Sequence, residues 1–261
     1  MDTTLDHLAI GPSAVEVFTT PLDAPAYPPY PIRFRDCEIL TIQYRTEPDA
    51  IAALLPEPLT PIGDTVLVHV ARYGDVEGVG AMVHECNVMV GARLVTSSGT
   101  VEGSYSPYFF LDSDGAVALG REVQGQPKKL AQVALEARGD LFVGTVSRNG
   151  IDVLTATLPY KTRRASLDEA RRRIDFVTNI NLKVIQHIDG RTAVRQLVAR
   201  DLADVVVLEC WSGPCTVEVR PNAQAPLYRL PVREPLEGYY WRSEFSLVGG
   251  RVLLDYLHQR N

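Results

Sequence analysis

The sequence predicts an α+β, mainly β protein: an antiparallel sheet, curled or closed, with a few accessory helices. Three observations predict it. Short runs rich in β-branched and aromatic residues recur from residue 39 to residue 257, turn residues separate them, and only two or three stretches have helical character. An open sheet of that many strands would leave exposed edges, which favours closure. Of the 261 residues, 46% are hydrophobic and 22% charged, enough apolar side chain for a substantial core and too little polarity for a disordered chain. No repeat, Gly/Ser linker or low-complexity block divides residues 1–261, so one domain is expected.

The elements follow in order. Pro21, Pro25, Pro28, Pro29 and Pro31, interleaved with Tyr27 and Tyr30, fix φ repeatedly and remove amide donors, which predicts an extended N-terminal arm to about residue 32. Residues 39–44 alternate as a strand, and 48–55 read as a short helix stopped by Pro56. Residues 66–73 and 82–94 carry strand-forming residues between glycine-containing breaks. Residues 141–146 and 151–158 flank Asn149-Gly150, a pair that tolerates positive φ and so predicts a tight hairpin. Ser166 and Glu169 have capping-box spacing, predicting a helix from about 167 to 176 in which Arg171, Arg172 and Arg173 form a solvated face. Strands at 205–208, 215–219 and 251–257 complete the pattern.

The formal net charge of −6 gives no field favouring nucleic acid or anionic lipid. No apolar run is long enough to cross a bilayer, and the first residues lack the basic start and apolar stretch of a secretion signal, so a cytoplasmic protein is expected. Cys37, Cys86, Cys210 and Cys215 include no C-x-x-C pair and read as free thiols. His69, His84, Cys37 and Cys86 are suitable zinc ligands by type, but their spacing matches no compact zinc pattern, so no metal is expected. Neither a phosphate-binding glycine loop nor a G-x-S-x-G turn occurs, and no cofactor is implied.

Lys128 and Lys129 stand between Pro127 and an apolar continuation. If Lys128 begins a strand, the two side chains project to opposite faces, one inward and one toward solvent. A lysine in an apolar pocket loses hydration and its pKa falls; a drop of three units corresponds to about 4 kcal/mol in favour of the neutral amine. Neutral amine adds to ketones, and the protonated imine then accepts electrons from a breaking C–C bond or acidifies a neighbouring C–H. On its own, a Lys-Lys pair more often marks exposed charge.

Gly120-Arg121-Glu122 followed by Pro127-Lys128-Lys129-Leu130 resembles, in order and spacing, the nucleophile segment of the acetoacetate decarboxylase-like superfamily. The resemblance continues through Tyr44-Arg45-Thr46, Leu55-Pro56-Glu57-Pro58-Leu59, Gly144-Thr145-Val146, Trp211-Ser212-Gly213-Pro214 and Leu230-Pro231-Val232, spanning about residues 21–257. It implies a cone-like, closed antiparallel β-barrel with accessory helices, a homo-oligomer, and an imine-forming lysine at Lys128. Activation of that lysine by desolvation or by an adjacent cation, here Lys129, is the family's own known device and is carried over with the motif. Strand alternation favours desolvation. Glu85, in Met82-Val83-His84-Glu85-Cys86, matches the segment holding the family's active-site glutamate and is the candidate proton shuttle, with His84 on the opposite strand face. Arg121 and Glu122 read as an ion pair bracing the loop.

The resemblance also exposes departures. Cys37 stands where the decarboxylases place an arginine, His69 where they place a second acid, and Gln126 where an aromatic residue is common. Without that arginine's permanently charged fork, the first expectation is lysine-imine chemistry on 2-oxo acids: a pyruvate aldolase-dehydratase using an aldehyde co-substrate, or a hydratase of an unsaturated 2-oxo acid. His69, Gln126 and Tyr108 would then bind the carboxylate or the added hydroxyl. The alternative is a decarboxylase of acetoacetate or a larger 3-oxo acid, with Arg45 or Arg121 replacing the lost cation. A third reading is a noncatalytic barrel carrying a small ligand.

Overall fold

The computed structural model describes residues 18–97, 99–166, 168–169 and 178–258. The helix expected at 167–176 therefore falls almost wholly outside the described residues; at its start, the Ser166 hydroxyl accepts the Glu169 amide at 3.1 Å.

From Ile32 the chain enters β1 (Ile32–Arg45), passes through α1 (Pro48–Ala52), and builds three long strands, β2 (Thr60–Val76), β3 (Gly80–Thr96) and β4 (Gly99–Leu111). Helix α2 (Asp114–Glu122) follows, its N-terminus capped by the Ser113 hydroxyl accepting the Ala116 amide. Then come β5 (Lys128–Leu130), β6 (Gln132–Arg138), β7 (Leu141–Arg148), β8 (Ile151–Pro159), β9 (Arg163–Arg164), β10 (Asn179–Gln186), β11 (Thr192–Arg200), β12 (Leu202–Gly213), β13 (Thr216–Val219), β14 (Glu234–Leu247) and β15 (Arg251–Asp255). The hairpin joining β7 to β8 turns on Asn149 and Gly150, at φ 55° and 75°, the two left-handed residues that a two-residue turn between twisted strands requires.

Two sheets form. One has eleven strands, in the order β15-β11-β10-β4-β3-β2-β1-β14-β12-β9, with β5 paired in parallel to β4; the other is β13-β8-β7-β6. Among the described residues neither closes, so the expected barrel is corrected: the large sheet keeps two edges. Closure is not the only way to protect exposed edges. Here they are short and charged instead, β9 being two arginines and β15 five residues bounded by Arg251 and Asp255, which discourages pairing with another chain without a ring.

Strand alternation divides the large sheet into two faces. Leu40, Ile42, Val68, Val70, Cys86, Val88 and Phe110 point toward the small sheet and bury against Val133, Leu135, Phe142, Val146 and Leu154. Their intervening neighbours Ile39, Ala71, Tyr73 and Trp241 point the other way, into a second core completed by Leu119 of α2 and by Tyr27 and Ile32. The proline-rich arm covers that face: the Tyr27 hydroxyl donates to Glu122 at 2.6 Å, and Gln124 donates to the Tyr30 hydroxyl at 2.9 Å. Strand β14 was hidden in the sequence by Pro235 and Gly238. Gly238 is required because a Cβ there would lie 2.8 Å from carbons of Cys215 and Leu158. No helix among the described residues is long and apolar enough to cross a membrane.

Candidate active site

Register brings the site together. Across neighbouring strands Trp241, Ile39, Ala71, Glu85 and Leu111 lie opposite one another, and the next row runs Tyr239, Thr41, His69, Asn87, Phe109, Lys128. Both rows face the second core, where a cavity of about 780 Å³ including its open mouth is lined by Lys128, Glu85, His69, Asn87, Gln126 and Arg200 on its polar side. Phe34, Ile39, Trp241, Phe245 and Leu247 form much of its apolar wall.

Lys128 opens β5 and is 8% exposed, whereas Lys129 turns outward and donates to the Gln224 carbonyl at 2.9 Å. Lys129 is therefore not the cation beside the buried amine. The Lys128 stem runs against α2 at Gly120, where a Cβ would stand 2.3 Å from Lys128 Cδ and 2.7 Å from Cε. This close approach explains the glycine of the Gly-Arg-Glu segment. Lys128 Nζ lies 3.2 Å from Glu85 Oε2 and 4.8 Å from the centre of the Phe109 ring. The other Glu85 oxygen accepts the Tyr73 hydroxyl at 2.8 Å. Loss of hydration lowers the Lys128 pKa; the nearby Glu85 carboxylate resists that shift and the positive charge of Arg200 reinforces it.

The remaining candidates divide. Gln126 is almost fully buried; among the described residues its Oε1 has no hydrogen-bond partner, nor do Asn87 Oδ1 and His69 Nε2. Burial lowers the His69 pKa to about 3, so the ring is neutral. Three others depart from the expectations. Tyr108 lies on the opposite face of β4, packed against the core between the sheets, because it is one residue out of phase with Phe109. Cys37 shares the face of Glu85 but is sealed in the second core, and burial pushes its thiol well up, so it is a neutral packing group. Arg121 donates to the Lys128 carbonyl at 3.3 Å while Glu122 binds Tyr27, so the expected Arg121–Glu122 ion pair gives way to two separate contacts, and Arg121 positions the lysine strand from behind. Arg45 pairs with Asp64 and Glu234 on the surface. His84 faces Asp112 at 2.8 Å, and Cys86 buries in the core between the sheets.

Sequence reasoning missed Tyr73, Asn87, Asn179 and Arg200. Period two would have found the first pair, since Tyr73 follows His69 and Ala71 on one face and Asn87 follows Glu85. No local signal marks Arg200, which reaches the cavity from β11 through the sheet topology.

The family model described as acetoacetate decarboxylase matches residues 16–257. The chain belongs to that family. It is 37% identical over 244 residues to the acetoacetate decarboxylase of Paraburkholderia xenovorans strain LB400, covering 93% of this chain and 94% of that one. The acetoacetate decarboxylase structure from Legionella pneumophila superposes with a TM-score of 0.84 at 32% identity, covering 92% and 94% of the two chains. The enduracididine biosynthesis enzyme MppR, solved with pyruvate, shares the family fold, with a TM-score of 0.76 at 19% identity over 92% and 98% of the chains. Family membership supports a lyase acting on small keto acids.

Proposed function

We propose that the chain is a lysine-imine decarboxylase of 3-oxo acids. The observation carrying this reading is the desolvated Lys128 amine 3.2 Å from Glu85, in a cavity that Arg200 also lines. The absence of an arginine at Cys37 had favoured 2-oxo acid lyase chemistry first; Arg200 supplies a cation from another strand, and relatives of 37% identity are decarboxylases.

In this mechanism neutral Lys128 adds to the 3-oxo carbon, and the carbinolamine loses water as Glu85 transfers the proton. The bond between C2 and the carboxylate then breaks, its electron pair flowing into the iminium to give a neutral enamine and carbon dioxide. Positive iminium and negative carboxylate disappear together, so the wall of Phe34, Trp241, Phe245 and Leu247 disfavours the charged ground state more than the charge-poor transition state. Glu85 returns a proton to C2, water hydrolyses the ketone iminium, and Lys128 is free again. Arg200 draws the anionic substrate in, and its charge adds to the loss of hydration that favours the neutral amine.

A second reading, hydration or aldol-dehydration of a 2-oxo acid, is favoured by the unpartnered polar atoms of His69, Asn87 and Gln126, which suit a substrate hydroxyl. Carbon dioxide release from acetoacetate separates the two: the decarboxylase reading expects steady turnover that Glu85→Gln reduces by about 10²–10⁴-fold. Turnover only with pyruvate and an aldehyde would overturn it.

A further inference from the structure

A second cavity, of about 590 Å³ with its mouth, adjoins the lysine pocket, and Gln124 and Arg200 line both. Strands β10 and β11 run beneath the two as one rail. Asn179 pairs with Arg200 at the lysine end and Lys183 with Gln196 four residues farther out, roughly 13 Å along the strand. The outer cavity has apolar walls from Val123, Val198 and Val252. Its far wall is the link from β14 to β15, which presses so close to β11 that a Cβ on Gly250 would lie 2.4 Å from the Ala199 carbonyl oxygen.

The charges in and around this cavity are unequally committed. Arg251 pairs with Asp201 at 2.7 Å, Asp201 also accepts the Thr178 hydroxyl, and Asp255 accepts Gln196 at 2.8 Å. The ammonium of half-buried Lys183 has no acidic partner among the described residues, and partial desolvation is what lowers its pKa. An apolar trough ending in an uncompensated cation is complementary to an alkyl chain ending in an anion.

We propose that the outer cavity is a subsite for a terminal carboxylate, so that the preferred substrates are 3-oxo acids whose tail ends in a second acid group. This rests on the decarboxylase reading above. The methylenes lie along Val123, Val198 and Val252, the distal carboxylate meets Lys183, and the 3-oxo carbon reaches Lys128.

The test compares kcat/KM of the full chain for acetoacetate, 3-oxooctanoic acid and 3-oxooctanedioic acid, each corrected for spontaneous decarboxylation. The diacid is expected to exceed the monoacid of equal length by tenfold or more. Lys183→Met should bring the two to parity, and Lys183→Arg should keep the preference, with acetoacetate turnover reporting that each variant is folded. Equal values in the unmodified chain, or a preference that survives Lys183→Met, would overturn the subsite while leaving the decarboxylase reading intact. Catalysed carbon dioxide release from none of the three acids would remove the reading and the subsite together.

Discussion

Loss of hydration is the largest influence on Lys128 and favours its neutral amine; Glu85 favours the ammonium, and Arg200 adds a smaller push toward the neutral form. Addition of the amine to a ketone therefore accelerates as pH rises through the lowered pKa. Arg200→Met removes the cation, so the acid limb of kcat/KM should move to higher pH; a limb that stays in place would show that the charge does not act on the amine. His69 carries a stability signature instead. Its folded pKa is about 3 against an ordinary 6.5, so between these values the unfolded chain binds a proton that the folded chain refuses. Stability then falls as pH drops through that window, by about 1.4 kcal/mol per unit at most. In denaturant melts, His69→Gln should lose less stability than the unmodified chain between neutral pH and about pH 4.5. Glu85 and Lys128 were legible as residues because their motifs are local, whereas Arg200 was not, since its relevance depends on which strand lies beside which.

Two elements depend on a glycine, for different reasons. At Gly120 the helix must admit the Lys128 stem. Alanine in a helix interior ordinarily stabilises by about 1 kcal/mol over glycine. Gly120→Ala is expected to forfeit that gain and lower kcat/KM by about tenfold or more, because displacing the reacting amine by even 1 Å is costly. At Gly150 the constraint is φ of 75°, so Gly150→Ala should cost about 1 kcal/mol in thermal or chemical unfolding with catalysis unaffected. The Asn149-Gly150 hairpin could be read directly because turn chemistry is local. Helix α2 and strand β14 could not: α2 owes its place to packing under the arm, and β14 carries a proline and a glycine that mimic a loop.

At the scale of the molecule, one large sheet does two jobs. Residues such as Leu40, Val68, Cys86 and Phe110 bury against the small sheet, while those adjacent in sequence, Ile39, His69, Glu85 and Phe109, face the reactive cavity. A one-residue slip of β3 would move Glu85 into the apolar core and bring His84 or Cys86 to the lysine, so the register that protects the core also sets Glu85 beside Lys128. This two-faced arrangement was only half visible in the sequence: alternation marked the strands, but whether they closed depended on edge length and charge. Borohydride trapping with acetoacetate, followed by mass spectrometry of the peptide containing both lysines, tests the central claim most directly. The account predicts a reduced adduct on Lys128 that disappears in Lys128→Ala. An adduct on Lys129, or acetoacetate turnover that survives Lys128→Ala, would contradict it.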